Sequence, residues 1–258
     1  DLLVEFDGNV ALNANSFING TFTASIGSAV ADTNTTLPGS INADQLFGMK
    51  GDDVLTGLEG HDLIGGGLGD DQLYGGVGDD KVLGGENNDT VYGDDGVDQL
   101  YGGRGNDVLY GGLGNDQLYA ASFNDFIGDT VDDLETATNN LYGGEGADYL
   151  TGASGLDNLD GGIGDDSLYG GAGEDTLYGG DGNDYLEGGS GIDRLIGGAG
   201  NDSIYGGSDQ DIVDYQSANA AVTVDLAVTT AQLIGADQGS DTISGVEQIK
   251  GSQFNDQL

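Results

Sequence analysis

An aspartate recurs at every ninth position from Asp44 to Asp125, through Asp53, Asp62, Asp71, Asp80, Asp89, Asp98, Asp107 and Asp116. The same beat resumes at Asp148 and runs through Asp157, Asp166, Asp175, Asp184, Asp193, Asp202 and Asp211. Neither the 3.6-residue period of a helix nor the two-residue alternation of a strand generates this spacing. A fixed repeat of this kind demands a stack of small units, each burying its apolar face on its neighbours.

Aligned on the aspartates, the units read GDDVL, GHDLI, GDDQL, GDDKV and so on, then GADYL, GLDNL, GDDSL, GEDTL, GNDYL, GIDRL and GNDSI. Each is a glycine-rich loop, the aspartate, and a three-residue strand with an apolar middle position. That position is held by Leu46, Leu55, Ile64, Leu73, Val82, Val91, Leu100, Leu109, Leu118 and Ile127, and later by Leu150, Leu159, Leu168, Leu177, Leu186, Leu195, Ile204 and Val213. Side chains alternate faces along a strand, so one residue per unit points inward. Two units per coil would bury a narrow aliphatic seam between two facing sheets, with residues eighteen apart stacked. Glycines supply the turns.

Composition shows what the stack lacks. The chain has 258 residues, 52 glycines, one proline, no cysteine, and 46 acids against 5 bases, for a formal charge of −41. Ordering a residue costs about 1–2 kcal/mol of backbone entropy, most for glycine. An apolar content of 36% and the repulsion among acids leave that cost unmet. Disorder is the alternative for such a composition, and periodic order held by a cation is the better account. Nucleic acid and anionic membrane surfaces would be repelled, because Lys50, Lys81, Arg104, Arg194 and Lys250 form no patch. No apolar run is long enough to insert in a membrane, and no signal peptide is visible at the N-terminus.

Hard cations with six to eight oxygen ligands want carboxylates and carbonyls together, and a glycine loop ending in aspartate offers both. Magnesium, with its tight octahedron, suits such a loop poorly. Zinc or iron would want His or Cys, and His61 is the one histidine. His61 occupies a loop slot held elsewhere by Asp52, Asp70 and Asn106, and reads as an exposed loop residue. No zinc-protease or Gly-x-Ser-x-Gly motif is present, and the regular carboxylate spacing gives no reason to single out an acid–base pair. The chain is therefore expected not to be an enzyme. The outward threonine ladder of an ice-binding roll is missing from Glu59, Leu68, Val77, Glu86, Asp95, Arg104 and Leu113.

The pattern closely resembles the RTX nonapeptide family, whose consensus is Gly-Gly-x-Gly-x-Asp-x-apolar-x. Gly75, Gly76, Gly78, Asp80 and Val82 match it, as do Gly111, Gly112, Gly114, Asp116 and Leu118, and Gly179, Gly180, Gly182, Asp184 and Leu186. The resemblance implies an all-β fold, a right-handed parallel β-roll (a β-solenoid) with β-rich capping segments. It implies Ca²⁺ held between two loops of successive coils, with Asp53 paired to Asp71, Asp62 to Asp80 and Asp166 to Asp184. The expected metal ligands are Asp53, Asp62, Asp71, Asp80, Asp89, Asp98, Asp107, Asp116, Asp148, Asp157, Asp166, Asp175, Asp184, Asp193, Asp202 and Asp211. Usable pairs give roughly fifteen sites, and about thirty positive charges would offset most of the acid excess. The resemblance further implies a bacterial protein secreted unfolded by the type I route and filled with calcium outside the cell. A C-terminal secretion signal is not evident.

The expected organisation is an N-terminal β cap over 1–38, a first roll block over 39–128, an insertion over 129–138, a second block over 139–214, and a cap or inter-block segment over 215–258. Asn139 takes the aspartate slot of a degenerate unit, and its spacing of fourteen from Asp125 implies five extra residues. A bulge in one roll and a boundary between two rolls both fit; one continuous rod is the expectation. The closing SQFNDQL echoes ASFNDFI, with Asp256 in the aspartate slot, so a further block is expected to follow. Tyrosines after the inward aliphatic, such as Tyr74, Tyr92 and Tyr110, form an outward ladder. They read either as a carbohydrate or partner-binding stripe or as mutual stacking that stiffens the sheet. The functional expectation is a calcium-binding, non-catalytic segment of a secreted surface protein (adhesin, surface layer or matrix fibre) able to self-associate. The alternative is a carrier module of a secreted enzyme or toxin.

Overall fold

The computed structural model describes residues 23–26, 36–121 and 137–258. Among these there are 24 strands and no helix. The strands form two sheets of 13 and 11 members. Successive strands of the repeats alternate between the sheets: Val54–Glu59, Gln72–Val77 and Thr90–Asp95 lie in the smaller, Leu63–Leu68, Lys81–Glu86 and Gln99–Arg104 in the larger. Pairing within the roll is parallel and in register at eighteen residues, as in Leu55↔Leu73 and Leu73↔Val91. This is the parallel β-roll that the period implies. The single antiparallel pair among the described residues, Gln232–Gly235 with Gly239–Ser244, edges the larger sheet near the C-terminus.

The aliphatic slot forms the core. Leu46, Ile64, Val82, Leu100 and Leu118 stack from one sheet, and Leu55, Leu73, Val91, Leu109 and Leu141 face them from the other, all fully buried. Burying each such side chain contributes about 1.5–3 kcal/mol. The two rows continue to Ile243 and Ile249, which pair with Ile204 and Val213.

Two details differ from the sequence expectation. The strands are mostly six residues rather than three, because backbone pairing runs on through the glycine pair. Inward positions are correspondingly three per unit: the aspartate, the aliphatic and the first glycine alternate inward, as Asp71, Leu73 and Gly75 do. Gly75 has no room for a side chain, and Gly76 and Gly78 adopt φ of 113° and 137°, in the left-handed half of the map that favours glycine.

The second difference concerns the break between the blocks. Val108 pairs with Asn140 and Gln117 with Tyr149, so both sheets continue across it with a register step of 32 residues in place of eighteen. The rod is continuous, but fourteen residues, not five, are additional to the period there. The Asp125 unit and most of the expected insertion lie outside the described residues, as does most of the N-terminal cap. Tyr74, Tyr92, Tyr110 and Tyr142 stack along the smaller sheet, with centroids 4.8, 4.8 and 5.0 Å apart and ring planes within 10°. Their faces cover one another, as the mutual-stacking reading expects.

Candidate metal centre

Each edge of the roll carries one ladder of aspartates at the loop-to-strand junction. The backbone N–H of one aspartate donates to Oδ1 of the aspartate eighteen residues on: Asp53 to Asp71 at 2.7 Å, Asp62 to Asp80 at 2.7 Å, Asp89 to Asp107 at 2.8 Å, Asp98 to Asp116 at 2.9 Å. The bond recurs from Asp148 to Asp166, Asp157 to Asp175, Asp166 to Asp184, Asp175 to Asp193, Asp184 to Asp202 and Asp193 to Asp211. Asp116 bridges the break by donating to Asp148, and Asn139 fills its slot by accepting from Asp107. All sixteen expected aspartates are buried, between 0% and 3% exposed.

The second oxygen is left over. Oδ2 of Asp62, Asp71, Asp80, Asp89, Asp98, Asp116, Asp148, Asp166, Asp175, Asp184, Asp193, Asp202 and Asp211 is buried without a hydrogen-bond partner. A buried carboxylate oxygen without a partner is costly, and natural proteins seldom leave one. These oxygens lie against backbone carbonyls. A methyl group placed on Gly111 would sit 2.6 Å from Asp116 Oδ2 and 2.5 Å from the carbonyl oxygen of Gly143. On Gly161 it would meet Asp166 Oδ2 at 2.5 Å and the Gly179 oxygen at 2.6 Å. At Gly111, Gly161 and their equivalents such as Gly143 and Gly179, the first glycine of the pair therefore keeps clear a space bounded by a carboxylate oxygen and a carbonyl oxygen of the next coil. Oxygen-only surroundings of this kind suit a hard cation such as calcium. Among the described residues no three Asp, Glu, His or Cys side chains converge on one point, because much of the oxygen comes from the main chain.

Electrostatics agree. Desolvation, the largest cause, raises the carboxyls of Asp71, Asp80, Asp98, Asp148, Asp175, Asp184 and Asp202 to about 7, aided by like charges on neighbouring coils and opposed by the accepted N–H. Asp89, raised chiefly by desolvation and further by the charges of Asp107 and Asp71, reaches about 9. Groups so displaced, in register along an edge, are ones that a bound cation would stabilise as carboxylates.

The rungs are not all alike. Asp157 Oδ2 accepts the N–H of Ala153 at 2.9 Å, while its Oδ1 takes both the N–H and the side-chain amide of Asn139. Two rungs escaped the sequence reading. Asp202 donates to Oδ1 of Asp241 at 3.0 Å, and Asp211 to Oε2 of Glu247 at 3.1 Å. GSDTI around Asp241 and GVEQI around Glu247 carry the unit pattern; their spacing of six hid them. Outside the acid ladders, His61, Asp70, Asn88 and Asn106 form exposed rungs of their own. Asp79 N–H donates to His61 Nδ1 and Asn88 N–H to Asp70 Oδ1, which confirms His61 as a loop residue.

RTX calcium-binding nonapeptide repeat models match residues 38–73, 66–91, 92–127, 136–168, 151–186, 160–195 and 187–219. The chain belongs to the RTX calcium-binding nonapeptide repeat family. Its repeats form a structural calcium-binding fold. Among curated proteins, none matches the chain. No described helix is long and apolar enough to cross a membrane.

Proposed function

We propose that this RTX roll is a non-catalytic structural segment of a secreted bacterial surface protein, folding when it meets extracellular calcium. The single observation that carries the reading is the row of buried, partnerless Oδ2 atoms facing glycine carbonyls along both edges. Each such oxygen is a charge that the protein alone does not balance. A divalent ion at each place supplies that balance, and the residues holding it are the aspartate and the glycine carbonyls of two successive coils. About fifteen ions would cancel about thirty of the negative charges.

Binding and folding then form one equilibrium, because the unfolded chain has no preformed site. Extracellular calcium modules work near 10⁻⁴–10⁻³ M, roughly the concentration found outside cells. Sites of that strength stay empty in a cytosol and fill after export. The test is circular dichroism of the full chain in chelator and in millimolar calcium. Cooperative gain of β-structure on adding calcium is the expected result, and a full β-spectrum in excess chelator sinks the reading.

An extended rod whose two sheet faces carry tyrosine stacks suits a spacer or a self-assembling layer. Stacked rings expose edges and hydroxyls rather than faces, so a carbohydrate would meet the stripe through hydrogen bonds. Electron microscopy in calcium separates the versions: filaments or sheets support a layer, whereas dispersed single rods favour a spacer or the carrier of an enzyme or toxin.

A further inference from the structure

The ladder that runs through Asp166, Asp184 and Asp202 gains one more rung at Asp241. Asp202 N–H donates to Asp241 Oδ1 at 3.0 Å, the same bond and length that join Asp184 to Asp202. Asp241 is fully buried, like its predecessors. Its Oδ2 differs from theirs. Where Asp166, Asp184 and Asp202 leave that oxygen without a partner, Asp241 Oδ2 accepts a 2.7 Å hydrogen bond from the hydroxyl of Tyr215.

The surroundings differ as well. Gly197 lies five residues before Asp202 and flanks its Oδ2, whereas Ala236 stands five residues before Asp241. Asp241 Oδ2 is not among the closest contacts of any described glycine, in contrast to Oδ2 of Asp166, Asp184 and Asp202, which lie closest to Gly161, Gly179 and Gly197. Tyr215 fills the region instead. Its ring is 1% exposed and its N–H donates to the carbonyl of Lys250, directly after Ile212–Asp214 pairs with Gln248–Lys250. The hydroxyl is thus delivered by the main chain to the spot that a cation would take.

We infer that Tyr215 stands in for calcium at the last rung of this ladder, so that Asp241 closes the roll there by a hydrogen bond and takes no ion. This rests on the reading of the other rungs as calcium sites. Chemically, one O–H donor supplies the partner that Oδ2 needs without adding charge, and the aromatic ring seals the end of the stack from water. The ladder's metal sites would then stop at Asp202, and Tyr215 is the residue that fixes the boundary.

Native mass spectrometry of the calcium-saturated full chain reads the ion count directly. Three variants separate the possibilities: Asp184→Asn inside the ladder, Asp241→Asn at its end, and Tyr215→Phe. The expected pattern is a loss of at least one ion for Asp184→Asn and no loss for Asp241→Asn. Should Asp241→Asn fail to fold, Tyr215→Phe decides: an unchanged or increased count supports the stand-in, because the hydroxyl occupied the place without an ion. Loss of an ion from either Asp241→Asn or Tyr215→Phe overturns the inference while leaving the interior sites intact. An Asp184→Asn chain that keeps every ion overturns the calcium reading of the ladder itself, which is a separate failure.

Discussion

The interior of the roll and its C-terminal end solve the same problem in opposite ways. Both bury carboxylates along the sheet edges. In the interior, Asp80, Asp98 or Asp166 accepts one backbone N–H and leaves its other oxygen facing carbonyls. At the end, Asp241 receives Tyr215, and Asp214 receives both Arg194 at 2.9 Å and Lys250 at 3.6 Å. Two of the chain's five basic residues thus converge on one buried aspartate. The contrast teaches that a side chain of the protein can satisfy a single acid, whereas a long series of like charges calls for a cation that repeats with them.

The widest test of that contrast is pH in the absence of metal. The interior carboxyls have folded-state values near 7, against an ordinary value of 3.8. A group raised in the folded state binds more protons there than in the unfolded chain, so stability falls as pH rises through that window. Below about 4 both states are protonated and the contribution is complete; above about 7 it is lost. A protonated Oδ2 also becomes a donor, able to bond the glycine carbonyl it faces. In chelator, β-structure is therefore expected to grow as pH falls from 8 towards 4. In calcium, the apparent affinity of the already folded roll should weaken below about pH 7, as protons compete for the same oxygens, whereas the calcium needed to fold the chain should not rise. A folded-roll calcium affinity that ignores pH across this range would break the account of the interior.

A single interior glycine comes next in size. Gly161→Ala would place a methyl group 2.5 Å from Asp166 Oδ2 and 2.6 Å from the Gly179 carbonyl oxygen. Crowding of this kind costs about 1–3 kcal/mol or more in a packed interior, and here it also fills the cation's place. Thermal melting in saturating calcium should drop by several degrees, and the calcium midpoint should rise. The matching change at the end, Ala236→Gly, faces no such space and should move the melt by less than about 1 kcal/mol. Equal effects of the two substitutions would erase the distinction between interior and end.

Most of the interior was legible in the sequence because its period is strict. Asp, aliphatic and glycine recur at nine, so Leu73, Asp80 and Gly78 could be placed on a strand, at a junction and in a turn. Other features were hidden for physical reasons. Pairing register, not spacing, defines a rung, so Asn139 and Asp241 join ladders across 32 and 39 residues. The extra chain leaves the sheets and returns to them, and its length leaves no periodic trace. Inward burial of the aspartate and the first glycine was also missed, because a polar residue and a glycine carry no hydrophobic signal. The Tyr215 hydroxyl had no sequence signature at all; it matters only because the fold brings it to Asp241.

The Arg194 joint offers a smaller perturbation at the end. Arg194 donates Nε–H to Asp214 and another N–H to the Tyr178 hydroxyl at 2.8 Å, with its guanidinium 5.6 Å from the Tyr178 ring. Hydrogen bonds to a charged group are worth about 1.5–3 kcal/mol, and Lys250 remains to share Asp214 when the arginine is gone. Arg194→Ala should cost about 1–2 kcal/mol in a chemical melt. That loss should be the same at limiting and saturating calcium, since no ion takes part. A loss that grows with calcium would tie this joint to the metal sites and blur the end into the interior.

The smallest expected effect is that of Tyr92→Phe, on the sheet face. Tyr92 is stacked on both sides, by Tyr74 and Tyr110 at 4.8 Å each. Farther along, Asp160 takes the tyrosine slot between Tyr142 and Tyr178, so the stack stops and Tyr178 turns to Arg194 instead. Interior tyrosines are thus held by each other, and the last one by a cation. An aromatic pair adds about 0.5–1.5 kcal/mol beyond its buried area. Tyr92→Ala loses two such contacts, so about 1–3 kcal/mol is expected. Tyr92→Phe keeps the ring and should be nearly neutral. If the hydroxyl row rather than the ring stack were the functional element, the phenylalanine variant would instead lose self-association with an unchanged melt. Sedimentation and melting measured on the same two variants distinguish a stiffening ladder from a contact surface, because ring and hydroxyl are removed separately.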